Sequence, residues 1–477
     1  MEITIAGAFY IIAIFFLFLK NINDYKKNYI IMFTTLSTLD IFINTGYVVR
    51  IGNTKIEYLI FSSIILLCFS FFVILKNIHN LNMNPIKQLL IFLGALIISA
   101  VISNFHTDVY GLPYDEFWDP TFWARQDLSL VYFNMYQFIG MIGRFGIWFI
   151  NLYAFSLIFS QKYLKIVNKQ ISFFFCLTVI LYIVELYIYN VSNNIEIRKQ
   201  LVTFLNGDVK STYLSPRKAM GIYSPLLLLA EPSSTTLLFL FLTLNELSIY
   251  NRNKKKRHLF NTILLFVFNL LSGAMSGMIY AVVLLMLMSF ILIKNKKVAF
   301  FVMIGFVVSC ITIGFILFGN RLNRIFGYFS LFNLGISQLP SISEIIRMYS
   351  IYTALINFSK YPLFGIGLGV SHAFSGFLTF LSNVGLIGAF LFFKIYKSLF
   401  FNFKFKNSSK IIGFVSLAVI YAFTESIRIF MYTPYSTIMY LLIITSLNEE
   451  KINVLLPKEI QAYVFNQNVL IIKNQTF

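Results

Sequence analysis

The sequence is dominated by uninterrupted apolar runs of membrane-spanning length, and these runs determine what the chain can fold into. The first covers residues 3–19, and similar runs follow at short intervals. A helix that crosses a bilayer needs about 20 consecutive apolar residues, so each run is long enough to form a span. With 58% hydrophobic and only 12% charged residues, the composition excludes a soluble globular protein. No small-residue cleavage site follows the first run, which predicts that it stays as a span.

The runs predict an all-α polytopic membrane protein with about thirteen transmembrane helices. The predicted spans cover residues 3–19, 30–48, 57–75, 88–105, 129–159, 171–190, 222–247, 259–272, 275–293, 298–318, 375–393, 411–429 and 433–447. Residues 1–477 are predicted to form a single integral membrane domain. Its long external loops are predicted at residues 106–128, 191–221 and 319–374.

The basic residues assign the two sides of this membrane domain. Most of the 38 Lys and Arg residues fall in alternate connections and in the carboxy-terminal tail, all on one predicted side. The positive-inside rule makes that side cytoplasmic and places the amino terminus and the three long loops outside. Topology therefore accounts for the net charge of +19, and no nucleic-acid partner is predicted.

The type of basic residue also differs between the two sides. Cytoplasmic basic residues are Lys except for Arg252 and Arg257, whereas most basic residues on the outer side are Arg. The planar guanidinium donates paired hydrogen bonds to phosphate oxygens, which an ammonium group cannot do. The outer arginines therefore predict an anionic ligand on the outer face.

Cysteine and histidine give no sign of a disulfide or a metal site. Cys68, Cys176 and Cys310 lie inside apolar runs and are predicted to be buried small hydrophobic side chains. The 4 His residues are scattered along the chain, so no metal and no cofactor is predicted.

The most informative stretch follows Arg347. Arg347 is predicted to start a short amphipathic helix, and the amphipathic segment Glu344–Ser359 is predicted to lie along the membrane surface. Pro362 is predicted to end this helix, because proline lacks the backbone donor of the next turn. Three glycines follow, at positions where the backbone turns with positive φ or approaches another group closely: Gly365, Gly367 and Gly369. An apolar helix carrying N-V-G-L-I-G comes next.

This order of an Arg, a small amphipathic helix, P-L-F-G-x-G-x-G and a helix with G-L-I-G resembles the O-antigen polymerase (Wzy) family, within the superfamily of O-antigen polymerases and ligases. The resemblance implies a GT-C-like, metal-independent membrane glycosyltransferase. Such an enzyme polymerises undecaprenyl-pyrophosphate-linked oligosaccharide repeat units into O-antigen-type polysaccharide at the outer leaflet of the bacterial inner membrane, with its active site facing the periplasm. The implied partners are the lipid-linked donor and acceptor, membrane lipid and a Wzz-like chain-length co-polymerase.

Two further segments resemble elements of the same family. Arg217, Gly221 and the E-P-S sequence from Glu231 resemble its Arg, Gly and E-P-S element, although Glu231 follows Gly221 later than is usual. Arg324 and Gly335 match its R-x10-G pattern, and the earlier long loop has Lys210 at the equivalent distance from Gly221.

The resemblance implies the following roles. Arg217, Arg324 and Arg347 would neutralise the pyrophosphate leaving group, and Glu231 or His372 would accept the proton of the attacking hydroxyl. Arg321, one helical turn from Arg324, would help to bind the same anion. The glycines Gly221, Gly335, Gly365, Gly367 and Gly369 would line the substrate site.

Arg144 is anomalous because it lies inside an apolar span. Such a charge faces either a polar cavity or a carboxylate partner. Binding of the lipid pyrophosphate and a structural ion pair with Asp40, Glu185 or Glu425 are both open interpretations.

Three alternatives remain. An O-antigen ligase, which transfers glycan to lipid A-core, would carry a His-Asn pair where this chain has Phe374 and Ser375, and His372 lies two residues too early. A metal-dependent sugar transferase would use an acidic outer loop such as Asp115-Glu116-x-x-Asp119. A lipid-linked oligosaccharide flippase would show internal pseudo-symmetry, which the sequence does not reveal.

Overall fold

The computed structural model describes residues 2–19, 24–42, 47–51, 54–106, 108–111, 130–191, 218–219, 222–223, 232–272, 275–293, 342–371 and 376–399, with single positions at 200, 298, 301, 304, 305 and 308. For residues 342–349 it describes the backbone alone. The predicted spans 411–429 and 433–447 lie outside the described residues.

The described chain is mostly helical, which confirms the predicted all-α character. Its helices are α1 (Ile5–Leu19), α2 (Tyr25–Phe42), α3 (Tyr58–Lys76), α4 (Met83–Ser103), α5 (Met135–Ile158), α6 (Leu164–Asn190), α7 (Pro232–Asn253), α8 (Lys256–Leu271), α9 (Met275–Leu292), α10 (Ile342–Lys360) and α11 (Gly376–Leu399). Among the described residues, α4, α5, α6 and α11 are long and apolar enough to cross a membrane. The chain is therefore a membrane-embedded helical protein.

Short strands are present where the sequence predicted only spans and loops. Strands β1 (Glu2–Ile3), β2 (Tyr47–Ile51) and β3 (Thr54–Glu57) form a three-stranded antiparallel sheet. The predicted span 30–48 was wrong at its end, because α2 stops at Phe42 and the chain continues into β2. The hairpin has few residues and joins apolar runs directly, so its period-two pattern is hidden in the sequence.

The predicted span 222–247 also starts differently. Strands β4 (Lys218–Ala219) and β5 (Ile222–Tyr223) pair antiparallel, and α7 begins only at Pro232. Proline suits the first position of a helix, where its missing N–H costs no hydrogen bond. Residues 235–249 of α7 are buried on every side, with α8, α9 and α6 among its neighbours.

A buried polar chain links α7 to α8 near their connection. The Arg257 Nε–H donates to His258 Nε2 (3.2 Å), so the His258 proton lies on Nδ1, which donates to Glu246 Oε2 (2.8 Å). The Asn261 amide donates to the same carboxylate oxygen (2.9 Å). Glu246 is 1% exposed, and these donors satisfy one of its oxygens at a depth where an unpaired charge would be costly.

Aromatic side chains pack α4, α5 and α11 against one another. Trp148 of α5 stacks on Phe392 of α11 with ring centroids 5.7 Å apart, and Phe92 of α4 lies 5.1 Å from Phe145. This cluster fixes the position of α11 against α4 and α5.

The outward faces of the helices are apolar, as a lipid environment requires. Phe16, Leu90 and Phe173 are each more than 60% exposed. Cys68 and Cys176 are exposed on α3 and α6, so the prediction that they are buried was wrong. A residue inside an apolar run need not be buried in the protein, because the outward face of a transmembrane helix contacts lipid.

Candidate functional site

The predicted amphipathic helix is α10, and it is slightly longer than expected. It ends at Lys360, two residues before Pro362, as the sequence predicted. It begins at Ile342, so Arg347 lies inside the helix and not at its start. The buried stripe of α10 consists of Ser350, Thr353, Ala354 and Asn357.

Two large apolar residues of α10 lie on its exposed face. Tyr352 is 39% exposed and Leu355 is 38% exposed. Small residues allow close helix packing inside a membrane protein, while larger apolar ones face lipid. The exposure of Tyr352 and Leu355 is compatible with the predicted contact between α10 and the membrane.

Residues 361–371, the glycine loop, follow α10. All three predicted glycines have left-handed backbone conformations, with φ of 70° at Gly365, 97° at Gly367 and 89° at Gly369. A side chain at positive φ costs roughly 1–2 kcal/mol, which explains the choice of glycine. The prediction of positive φ in this segment is confirmed.

A fourth left-handed glycine breaks α11. Gly385 has φ 66° and ψ −173°, which divides α11 into two helical pieces. Its position is roughly 13 Å along the helix axis from Gly376, at 1.5 Å per residue. An interruption at this depth must have its backbone groups satisfied by protein, because lipid offers no hydrogen bonds.

The glycine loop supplies those hydrogen bonds by a reciprocal exchange with α11. In a regular helix, the N–H groups of Leu386 and Ile387 would donate to carbonyls of α11 itself. Instead, each side of the break pairs with the loop. The four bonds are Leu386 N–H to Pro362 O (2.8 Å), Ile387 N–H to Leu363 O (3.1 Å), Ile366 N–H to Ser382 O (2.9 Å) and Gly367 N–H to Asn383 O (2.9 Å).

The exchange requires glycine on both sides. A Cβ on Gly385 would collide with the Leu363 carbonyl, and a Cβ on Gly365 would lie 2.5 Å from the Asn383 carbonyl and 2.7 Å from the Gly385 nitrogen. The group that the backbone approaches at Gly365 is therefore another part of the chain. Packing alone accounts for glycine at these two positions, and the predicted substrate contacts of the glycine loop remain a prediction.

Asn383 strengthens the junction from within α11. Its side chain is 1% exposed, and its Nδ2 donates to the carbonyls of Ser371 and Thr379 (2.7 Å each). Its Oδ1 accepts from the Ser371 N–H (3.2 Å). One carboxamide thus holds both main-chain groups of Ser371 and fixes the end of the glycine loop.

The start of the glycine loop is fixed against α4 and the outer connection. Ser99 of α4 donates its hydroxyl to the Phe364 carbonyl (2.6 Å). Tyr361 stacks on His106, with ring centroids 3.6 Å apart and ring planes 19° apart. His106 lies just after α4, and its Nδ1 is buried without a hydrogen-bond partner among the described residues.

The neighbouring connection is fixed to α10 by a side-chain amide. Asn357 Nδ2 donates to the Tyr110 carbonyl (2.6 Å), and the Tyr110 N–H donates to Asn357 Oδ1 (3.3 Å). The Lys360 ammonium lies 5.1 Å from the Tyr110 ring centroid and donates to the Asp108 carbonyl (3.4 Å). The outer end of the glycine loop is therefore lined by aromatic rings and a cation.

The structure brings together only some of the predicted site residues. The three glycines and the helix that carries Arg347 form one unit with α11, whereas the Arg347 side chain lies outside the described part. Arg144 is half-buried in α5, roughly 13 Å along that helix from Met135. Predicted residues outside the described part are Arg217, Gly221, Glu231, Arg321, Arg324, Gly335 and His372.

Sequence reasoning missed the residues that form the junction. Gly385 was recognised as part of N-V-G-L-I-G, but its apolar neighbours gave no sign of a helix break. Asn383, buried inside an apolar span, was the available signal, because a buried amide requires partners. His106 was grouped with the scattered histidines.

Comparisons with known proteins do not assign a function to this site. No family model, no curated protein and no solved structure matches the chain.

Proposed function

We propose that this chain is a membrane glycosyltransferase that polymerises undecaprenyl-pyrophosphate-linked oligosaccharide repeat units, as O-antigen polymerases do. The observation that carries the proposal is the junction of α10, the glycine loop and α11. The P-L-F-G-x-G-x-G and G-L-I-G segments that resemble the polymerase family contribute the paired bonds of this junction. The proposed full architecture has about thirteen spans and is GT-C-like, with the site on the periplasmic face of the inner membrane.

The proposed reaction transfers a growing glycan from its lipid pyrophosphate to a single lipid-linked repeat unit. A sugar hydroxyl of the acceptor attacks the anomeric carbon of the donor glycan. A new glycosidic bond forms, the bond to the pyrophosphate oxygen breaks, and lipid pyrophosphate leaves. The hydroxyl proton passes to a base, for which Glu231 and His372 are the candidates.

Arginine side chains carry the electrostatic part of this proposal. Negative charge grows on the pyrophosphate as it leaves, and preorganised guanidinium groups stabilise it. Arg217, Arg324 and Arg347 are proposed for this role. Arg347 belongs to a helix whose end is held by the Asn357–Tyr110 pair and whose next segment is locked into α11. A rigid helix of this kind would hold the Arg347 backbone in a fixed place.

The test replaces Arg347 in a strain that lacks the chromosomal copy. We expect Arg347→Ala to lose nearly all polymer, and Arg347→Lys to lose about 10²–10³ in rate while expressing normally, because Lys cannot make two parallel hydrogen bonds. Polymer length on gels and turnover in liposomes are the measurements. Arg198→Lys, in a predicted outer loop but with no proposed role, is the matched control and should behave as wild type.

Two results would contradict the proposal. Normal rates and polymer lengths in Arg347→Lys would reduce Arg347 to a membrane anchor. The phenotype of the deletion strain separates the alternatives, since loss of a polymerase leaves single repeat units on lipid A-core, whereas loss of a ligase leaves none. A deletion strain without any glycan on lipid A-core would therefore favour the ligase.

A further inference from the structure

Four side chains at the outer end of the glycine loop form a cluster that the proposed chemistry does not use. They are His106, Tyr110, Lys360 and Tyr361, named here the outer cluster. Each is exposed or half-buried, so the cluster is accessible. Its members come from two places, the connection after α4 and the end of α10.

The outer cluster is ordered by contacts that leave its polar ends free for a ligand. The His106–Tyr361 stack and the Asn357–Tyr110 pair fix three of the four residues. Within the described part of the chain, no hydrogen-bond partner meets the Tyr110 hydroxyl or the Tyr361 hydroxyl. His106 Nδ1 is buried, so His106 contributes its stacked ring to the cluster and not this nitrogen. The Lys360 ammonium makes one long hydrogen bond, to the Asp108 carbonyl, and retains two further donors.

This combination of groups has the chemistry of a saccharide site. A sugar ring presents C–H groups on its faces and hydroxyls around its edge, so it suits aromatic rings flanked by hydrogen-bonding groups. Tyrosine offers an apolar ring with a polar end, and the His106 ring stacked on Tyr361 holds that ring in place. A lysine ammonium donates to sugar hydroxyls and to the carboxylate of an acidic sugar.

We propose that the outer cluster is a binding site for the glycan of the lipid-linked repeat unit. The inference rests on the proposed function for the identity of the glycan and deepens it, because it assigns the sugar portion of the substrate to a place distinct from the arginines that would bind pyrophosphate. Helix α10 connects the two regions, since it carries Arg347 and ends at Lys360, next to Tyr361.

The contrasting explanation is that these residues only anchor the protein in the lipid headgroups. Tyrosine and lysine are common at membrane interfaces, and such anchors require no specific ligand. An anchor would tolerate the loss of the Lys360 charge without any change in glycan binding. Binding of free glycan, measured without its lipid, therefore separates the two explanations.

The experiment measures binding of the repeat-unit oligosaccharide, released from the host's lipid carrier by mild acid and labelled, to the full-length protein in nanodiscs. We expect wild type to bind, and Lys360→Ala and Tyr361→Ala each to weaken binding by about tenfold, which corresponds to roughly 1.4 kcal/mol. Tyr361→Phe keeps the stack with His106 and removes only the hydroxyl, so it should lose less. Lys162→Ala is the matched control, because Lys162 contacts the Tyr163 ring at 4.7 Å on the predicted cytoplasmic side.

Each outcome decides between the possibilities. Unchanged binding in Lys360→Ala and Tyr361→Ala, or no binding by wild type, overturns the outer cluster as a glycan site. An equal loss of glycan binding in Lys162→Ala also overturns the assignment, because the effect would then not depend on the position of the lysine in the outer cluster. If the outer-cluster variants lose binding while the wild-type protein shows no polymerisation in liposomes, the glycan site stands and the proposed function fails.

Discussion

At the scale of single residues, the environment of His106 determines its protonation. Partial burial of the ring lowers the pKa of His106 below its ordinary value of 6.5, because desolvation disfavours the imidazolium. The Lys360 ammonium lies over the Tyr110 ring, and Tyr361, whose ring stacks on His106, follows Lys360 in the chain. Asp108 is exposed, and its carbonyl contacts Lys360. His106 is therefore neutral at pH 7.

The neutral state gives a testable pH dependence. Between pH 6.5 and the lowered folded-state pKa, the unfolded chain binds more protons than the folded one, so His106 makes stability fall as the pH drops through this window. We expect His106→Phe, which keeps the ring stack, to reduce that fall in apparent melting temperature between pH 7.5 and 5. The measurement is thermal unfolding of wild type and variant side by side. An identical acid-side slope in both proteins would contradict the assignment.

The backbone conformation of single residues could be predicted where the local sequence alone determines it. Gly365, Gly367 and Gly369 alternate with apolar residues just after a proline, a pattern that needs no knowledge of the fold to indicate positive φ. Gly385 has the same conformation but lies among residues typical of a helix. Its φ is set by the glycine loop, which packs against it, and sequence periodicity carries no information about that contact.

At the scale of elements, the exchange between the glycine loop and α11 is the main structural finding. The four hydrogen bonds equal about one turn of unbroken helix, and each bonded group at the break at Gly385 has found a partner in the glycine loop. The helix ends could be predicted, as Pro362 shows for α10. The pairing of a loop with the interior of a later helix could not, because it depends on tertiary packing.

The exchange predicts a large effect of a methyl group at position 385. Gly385→Ala would place Cβ against the Leu363 carbonyl and force a residue with a side chain into φ 66°, so we expect a destabilisation of about 2 kcal/mol or more. Thermal unfolding in detergent measures it. Gly94→Ala in α4 is the control, because no atom lies within 4 Å of the added Cβ and the helical φ tolerates alanine. Equal stability of the two variants would mean that the exchange does not hold the loop.

At the scale of the whole molecule, the sequence predicted the class of protein better than the details of its architecture. The helices α4, α5, α6 and α11 fall within or across predicted spans, because long apolar runs have one stable form in a bilayer. The predicted spans 259–272 and 275–293 correspond to α8 and α9. The small sheet of β1, β2 and β3 was missed, since strands of a few residues beside long helices leave no pattern of their own.

The orientation of the molecule decides whether the proposed function is possible. The glycine loop and the outer cluster lie at the end of α4 that includes Ser103, whereas the connection between α7 and α8 is rich in lysine. A polymerase of lipid-linked units at the outer leaflet requires the glycine loop and the outer cluster to face the periplasm. The positive-inside rule predicts that arrangement.

Cysteine labelling in intact cells tests the orientation directly. The native Cys68, Cys176 and Cys310 are first replaced, because Cys68 and Cys176 are exposed on their helices. Asp108→Cys and Lys255→Cys then place single thiols at exposed positions on the two predicted sides. We expect an impermeant maleimide, admitted to the periplasm, to label Asp108→Cys in intact cells and Lys255→Cys only after the inner membrane is opened. Labelling of Lys255→Cys in intact cells would overturn the predicted topology. If Asp108→Cys also fails to label there, the glycine loop faces the cytoplasm, away from the outer leaflet, which would exclude polymerisation at that leaflet.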